Sequence, residues 1–259
     1  TGSGADTITG DGNNNVIDAG SGNDTVYGGN GNDAVFGGDS DLNSADGDDW
    51  VYGDAGQDTL HGGRGQDVLF GGTENDSVYG DDGNDTLYGA DGVDTIYGGA
   101  DHDSVNAGSN DDIVFGDAGD DTLKGFDGTD SLNGGADADD LRGENGNDTL
   151  DGGAGVDKLT GDAGSDVFVF SNVAHSVYSA PDRVMDFTQG TDLIDLSGLG
   201  FTGIQAGAGS STVLGYVFSD ATDRTYITNA TNTFRITLEN TQVSPGVGIT
   251  LTSGDFDFI

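Results

Sequence analysis

The chain has 259 residues, of which 33% are hydrophobic and 49 are Gly, and it carries a formal charge of −40. Low hydrophobicity with so much charge of one sign leaves too little burial to offset chain entropy, which argues against an ordinary globular core and calls for a cationic partner. Only seven Lys and Arg residues and no Cys are present, which argues against nucleic acid and anionic membranes as partners and rules out disulfides and thiolate metal sites.

Of the 47 acidic residues only Glu74, Glu144 and Glu239 are Glu. A chain acidic merely for solubility would not choose the short carboxylate so sharply. No apolar run approaches the ~20 residues of a membrane span. The first residues, Thr1 to Gly10, do not resemble a signal peptide and read as the start of a piece cut from a longer chain.

From residue 1 to Val169 the sequence repeats with a period of nine, in eighteen units with one insertion. Gly62 to Phe70 (GGRGQDVLF) and Gly80 to Tyr88 (GDDGNDTLY) are representative. The eighth position is apolar throughout, from Ile8 and Ile17 to Leu159 and Phe168. One inward residue per unit predicts a very short strand with the seventh and ninth positions on the opposite face. The six residues before it read as a turn, in which Gly, or Asn and Asp after it, accepts positive φ. Two units make one coil of a right-handed parallel β-roll, so equivalent residues recur every eighteen and stack at about 4.8 Å.

Stacking places the sixth-position carboxylates in two columns. One holds Asp6, Asp24, Asp49, Asp67, Asp85, Asp103, Asp121, Asp139 and Asp157; the other holds Asp33, Asp58, Asp76, Asp94, Asp112, Asp130, Asp148 and Asp166, with Asn15 at its head. Carboxylates so close repel one another unless a hard cation lies between them. Calcium suits a site of Asp oxygens and Gly-turn carbonyls, whereas magnesium wants a tighter octahedron and zinc wants His or Cys. At most about sixteen ions fit, which would bring the charge to about −8. The bland reading is that these Asp residues make Asx-type turn hydrogen bonds. Asn15, and the residues in place of Gly at Glu74, Asp101, Asn110 and Asp137, weaken the pattern in their own units. Between Gly38 and Gly47 seven extra residues enter a turn, where Asp39, Asp41 and Asp46 read as either an extra ion site or a plain loop.

The repeat resembles the nonapeptide G-G-x-G-x-D-x-U-x of RTX proteins, which implies calcium binding and a secreted location. After Phe170 the period stops, giving a division into 1–170, the roll, and 171–259, a β-rich cap. Alternation predicts strands at Arg183 to Phe187, Leu193 to Leu196, Thr212 to Ser219, Arg224 to Thr228 and Phe234 to Leu238. GLGFTG (Gly198 to Gly203) with DRTYIT (Asp223 to Thr228) resembles the R-modules of secreted bacterial mannuronan C5-epimerases. Serralysin-type proteases and RTX lipases share the more general stretch from Asp182 to Ser197. The resemblance implies an uncleaved C-terminal signal read by type I secretion machinery; the final DFDFI reads equally as an ordinary strand. Asp182, Asp186, Asp192 and Asp195 read as either another ion site or turn and capping residues.

Neither H-E-x-x-H nor G-x-S-x-G occurs, and His61, His102 and His175 are isolated, so no catalytic residues are assigned. Three classes remain: a non-catalytic calcium module supporting export and stability of an attached alginate-modifying enzyme, a structural segment of a large adhesin, and an enzyme in its own right. The residues argue against the third. Ninth-position Tyr27, Tyr52, Phe70 and Tyr88 fall in a column, followed on the same face by Lys124, Arg142 and the seventh-position Lys158. Tyr88, Lys124, Arg142 and Lys158 are candidates for holding an anionic polysaccharide; the alternative is an aromatic ladder, with Asp140 tying up the cations.

Overall fold

The computed structural model describes residues 2–38, 46–172, 176–177, 180–199, 204–206, 214–219, 224–228, 235–239 and 256–257. Asp39, Asp41 and His175 lie outside the described residues, as does much of the GLGFTG stretch. The described residues are all-β apart from one 3-10 turn, Ser197–Leu199. No helix among them is long and apolar enough to cross a membrane. The chain divides into two compact units, Thr1–Ser131 and Leu132–Ile259.

The first unit is a parallel β-roll. Successive strands alternate between two sheets, and each pairs with the strand one coil on: Leu60↔Val78↔Ile96↔Val114 in one sheet and Leu69↔Leu87↔Val105↔Leu123 in the other. The step is eighteen residues, as the period predicts. Across the insertion it is longer, Thr25↔Trp50 and Ala34↔Thr59, yet the register is unchanged on either side.

The strands are longer than the sequence predicts. Thr59–Arg64, Ser77–Asp82 and Thr86–Asp91 each run six residues, from the seventh position of one unit to the third of the next. The turn is correspondingly short, positions four to six. Glycine at positions one and two predicts a turn, but here it is strand, because a parallel partner above and below outweighs its weak strand propensity. Alternation along the longer strand puts positions six, eight and one inside. Within the unit, Val26, Val51, Leu69, Leu87 and Leu123 and, across from them, Val35, Leu60, Val78, Ile96 and Val114 are fully buried. Residues that replace Gly at the left-handed positions keep the same backbone: Glu74, Asp101 and Asn110 take φ of 79°, 78° and 80°.

Outward ninth positions form two aromatic ladders. Tyr27, Tyr52, Phe70 and Tyr88 stack at centroid distances of 4.9, 4.9 and 4.6 Å, and Phe36, His61, Tyr79, Tyr97 and Phe115 do the same on the other sheet. His61 is thus a surface strand residue, as expected, held between two rings with Nδ1 3.0 Å from Asp81 Oδ2.

In the second unit the roll strands Asp140–Asn145, Thr149–Ala154, Lys158–Ala163 and Val167–Val169 are followed by Asp182–Val184 and Leu193–Asp195, which extend the same two sheets in parallel. Arg235–Glu239 then pairs with Asp182–Val184, and Arg224–Thr228 and Leu214–Ser219 add on antiparallel. Phe256–Asp257, at the chain end, is a strand beside Leu193–Asp195. All five strands predicted after residue 171 are present, Arg224–Thr228 with the predicted bounds and the other four with slightly different ones, and Ile204–Ala206 is an additional one. These strands cover the edge that a roll otherwise leaves open. A bidentate pair fastens them: Arg183 donates to Glu239 Oε1 and Oε2 at 2.8 and 2.7 Å.

In calcium-saturated protein, Leu87→Ala should cost about 2–5 kcal/mol by leaving a cavity in the narrow core between the two sheets. Val93→Ala, on a turn where the side chain is 46% exposed, should change stability by about 0.5 kcal/mol or less. Denaturant titration of both variants reads the difference; equal shifts would contradict the assigned interior.

Candidate metal centre

The sixth-position residues from Asp24 to Asp166 are only 0–4% exposed, so they lie inside the roll among the apolar side chains rather than on its surface. This follows from the strand alternation that buries positions six, eight and one together. Asp6, in the first coil, is half-buried.

Each carboxylate uses one oxygen on the coil before it. In the first unit Asp24 Oδ1 accepts the Asp6 N–H at 2.7 Å, Asp67 Oδ1 that of Asp49, Asp85 Oδ1 that of Asp67 and Asp103 Oδ1 that of Asp85, the last three at 2.8 Å. The other column runs identically through Asp33, Asp58, Asp76, Asp94, Asp112 and Asp130. In the second unit Asp157 accepts from Asp139 and Asp166 from Asp148, both at 3.0 Å. Asn15 donates its N–H to Asp33 like its neighbours, but its amide turns to Asp11 and offers no charge.

The second oxygen is the anomaly. Oδ2 of Asp24, Asp33, Asp49, Asp58, Asp67, Asp76, Asp85, Asp94, Asp103, Asp112 and Asp157 is buried with no hydrogen-bond partner. Native interiors satisfy buried polar atoms, and a buried ionised one is costly unless paired or metal-bound. Carbonyl oxygens crowd the same space. A Cβ on Gly62 would stand 2.6 Å from Asp67 Oδ2 and 2.7 Å from the Gly80 carbonyl oxygen; on Gly71 it would stand 2.6 Å from Asp76 Oδ2 and 2.8 Å from that of Gly89. Glycine at position one keeps this oxygen-lined space open. Among the described residues no three acidic or histidine side chains converge, so a cation here would take carboxylates in pairs and complete its shell with backbone oxygens. That donor set suits a hard cation with flexible coordination.

Electrostatics agree with the geometry. Burial pushes the carboxyls of Asp85 and Asp112 up to about 8 and those of Asp49, Asp67, Asp76 and Asp103 to about 7, against the pull of one backbone N–H each. Burial raises Asp58, Asp94, Asp121, Asp130, Asp157 and Asp166 to about 6.

Two more residues join the columns. Asp182 Oδ1 accepts the Asp157 N–H at 3.0 Å and Asp192 Oδ1 that of Asp166 at 3.2 Å, the contact each repeat Asp makes. The sequence signal is the triplet: Asp182-Arg183-Val184 echoes Asp157-Lys158-Leu159, and Asp192-Leu193-Ile194 echoes Asp166-Val167-Phe168. Without the glycines before them the period-nine search passes over both. Asp186 accepts the N–H groups of Gly161 and Asp162 on the strand Lys158–Ala163, and Asp195 accepts that of Ser197 two residues on.

The four polysaccharide candidates fall differently. Tyr88 is the last ring of its ladder, in register with Asn106 and then Lys124. In the second unit Lys158 Nζ donates to Asp140 at 2.7 Å, and Arg142 lies 3.6 Å from Glu144 and 3.5 Å from Asp162.

A parallel roll with columns of buried, half-satisfied carboxylates defines a cation-binding repeat module. The RTX calcium-binding nonapeptide repeat family matches the chain at residues 1–35, 35–69, 43–78, 70–105, 106–141 and 133–168, and the chain belongs to that family, whose repeats bind calcium. Two curated relatives come from Azotobacter vinelandii. Mannuronan C5-epimerase AlgE2 is 46% identical over 63 residues, 22% of this chain and 6% of that protein. AlgE3 is 44% identical over 63 residues, 22% of this chain and 3% of its own length. The chain thus spans only a small part of either. Among solved structures, the AlgE6R3 subunit of the Azotobacter vinelandii epimerase is 30% identical with 61% of this chain and 78% of that one covered, at a TM-score of 0.40. The AlgE6R2 subunit is 34% identical, with coverage of 54% and 88% and a TM-score of 0.42. The chain resembles these epimerase repeat modules.

The raised carboxyls set a pH dependence for metal-free protein. Unfolded Asp titrates near 3.9, so between about pH 4 and about pH 8 the fold binds protons that the unfolded chain does not. Stability from this source is complete below that window and lost as pH rises through it. In chelator, far-UV circular dichroism should show β structure increasing as the sample is taken from about pH 8 to about pH 5. A spectrum that stays constant, or moves the other way, would contradict the burial of these groups.

Proposed function

We propose that the two Asp columns hold calcium ions between successive coils, each inner carboxylate bridging the ion above and the ion below, and that this chain is a non-catalytic module which folds when it meets extracellular calcium. The observation that carries the reading is the repeated, buried Oδ2 without a donor, beside carbonyl oxygens in a space that glycine at position one leaves open in most units. With the ions in place the interior charge is compensated; without them a chain of formal charge −40 repels itself and stays expanded. Extracellular modules of this kind hold calcium at about 10⁻⁴ to 10⁻³ M, so the chain would be unfolded at cytosolic calcium and folded outside. Export through type I secretion machinery as an unfolded chain follows from that reading.

The relatives are mannuronan C5-epimerases, which supports the view that the module accompanies and stabilises an alginate-modifying enzyme. Contact with the anionic polysaccharide through Tyr88, Lys124, Arg142 and Lys158 has thinner support. The rings of the ladder are within 9° of parallel and turn their faces to one another, so a polymer meets mainly edges. Arg142 and Lys158 already face carboxylates. The geometry favours a structural role for these residues.

Calcium binding to the native state at many sites should raise stability by several kcal/mol. In chelator at about pH 7.5 circular dichroism should report coil, and β signal should return with millimolar calcium and not with millimolar magnesium. Asp85→Ala, within the column, should raise the calcium midpoint more than Asp6→Ala at its end. A β spectrum indifferent to calcium would refute the proposal, and equal midpoints would refute the sharing of carboxylates.

A further inference from the structure

Three Asn-Gly pairs occur in the chain, Asn30-Gly31, Asn133-Gly134 and Asn145-Gly146. Two of them fall at the third and fourth positions of a unit, where the backbone favours glycine: Gly31 and Gly146 take φ of 114° and 151°. A Cβ on Gly31 would also stand 2.7 Å from the carbonyl carbon of Asn13. An Asn at the third position thus meets a Gly in both units where it occurs. Other units carry a different third residue, such as Arg64, Thr73, Asp82, Ala100 and Ala118.

Such a pair is chemically labile, because a Gly has no Cβ to keep its nitrogen away from the side chain before it. The Gly nitrogen attacks the Asn Cγ, a C–N bond forms, ammonia leaves and a succinimide ring closes. Water then opens the ring on one side or the other and leaves Asp or an isoaspartyl residue, with no oxidant or reductant involved. The roll withholds the nucleophile. Gly31 N–H donates to the Ala55 carbonyl oxygen at 2.8 Å and Gly146 N–H to that of Ala163 at 2.9 Å, beside the register pairs Asn30↔Ala55 and Asn145↔Ala163. These N–H groups lie in the plane of the sheet, whereas strand side chains stand off it, and the side chains of Asn30 and Asn145 are exposed. Asn133-Gly134 lies within the strand Ser131–Ala136, with Gly134 buried beside Asp139.

We infer that Asn30, Asn133 and Asn145 are deamidation sites which the folded roll closes and the calcium-free chain opens, so that a chain kept without calcium is progressively and irreversibly marked. The inference rests on the reading that calcium drives folding, and it adds a time limit to that reading, since an unfolded chain that is chemically modified faster than it refolds is lost. The position of the mark makes it harmful. An isoaspartyl residue routes the main chain through the former side-chain carbon and lengthens it by one atom. At Asn30 that atom enters between two contacts to different coils, Asn30 N–H on the Asp11 carbonyl oxygen at 3.2 Å and Gly31 N–H on that of Ala55. The coils on either side then lose their common register.

The test follows the three conversions by peptide mass spectrometry on the full chain, held for days in mildly alkaline buffer with millimolar calcium, with chelator, or with calcium and guanidinium chloride. Circular dichroism reports the fold of each sample. Conversion should be at least about tenfold slower with calcium alone than with guanidinium chloride, because these amides react only when a coil opens. The chelator sample should react as fast as the guanidinium one. Equal rates with calcium and with guanidinium chloride overturn the inference. A chelator sample that keeps its β spectrum and reacts as slowly as the calcium sample defeats the reading that calcium drives folding, and with it the calcium gate, while closure by the fold is read separately from the guanidinium arm. Refolding gives a second readout: chain aged in chelator and returned to calcium should recover several-fold less β signal than fresh chain. The variant Asn30→Ala, Asn133→Thr, Asn145→Ala takes residues that stand at the same positions in other units, Ala100 and Thr160, and should recover as fresh chain does. An equal loss in that variant places the damage elsewhere and overturns the role of these residues.

Discussion

A carboxylate placed inside a protein, with one oxygen satisfied and the other facing a carbonyl, is among the least favourable arrangements a chain can adopt, and here it recurs at nearly every coil. The side chain cannot be turned outward to relieve it, because position six lies on the same face of the strand as the apolar position eight. Rotating one rotates the other. The geometry that gives the roll its hydrophobic spine therefore also confines its charge, and only a counter-ion or a proton removes the conflict.

Glycine at position one is the complement of that constraint. It follows the apolar residue by two, so it too points inward, and its missing Cβ is where the carboxylate oxygen and the carbonyl one coil on come together. Ala107, which stands at this position and is fully buried, occupies that space with a methyl group. Glycine at the first position thus serves volume more than backbone conformation, while positions two and four require positive φ, and Asp54, Asp81 and Glu74 tolerate it at about 1–2 kcal/mol each. The turns are stitched separately: Asn75 Oδ1 accepts the Val93 N–H and Asn84 Oδ1 that of His102, one coil away.

The period of nine, the apolar spine and the two Asp columns could be read from the sequence, because each rests on a residue type repeated in fixed register. The ladder of Tyr27, Tyr52, Phe70 and Tyr88 was legible for the same reason. Strand length was not. Glycine is a poor strand former taken alone, and what makes Gly62 and Gly63 strand is the pairing with residues eighteen positions away, a long-range effect that local propensity omits. The burial of the Asp side chains was hidden by the same error, since a turn residue points nowhere in particular and a strand residue has a definite face. The sequence leaves Asp182 and Asp192 as either ion ligands or turn and capping residues, outside the columns, because the glycines that mark a unit are absent before them.

That last failure shows how the roll ends. The step from Lys158 to its partner Arg183 is longer than the repeat step, and so is that from Val167 to Leu193, yet the Asp-x-apolar triplet re-enters in register both times. The triplet is the part that a coil below can sense, through one N–H to a carboxylate and one apolar contact in the spine. Everything between triplets is free to vary, as the seven-residue insertion before Asp46 also shows. A roll of this kind can therefore pass from repeats to unrelated strands without a break in its interior, provided that the carboxylate at the junction finds a positive charge. Arg183 does not supply it, being bound to Glu239, so the junction inherits the electrostatic problem of the repeats.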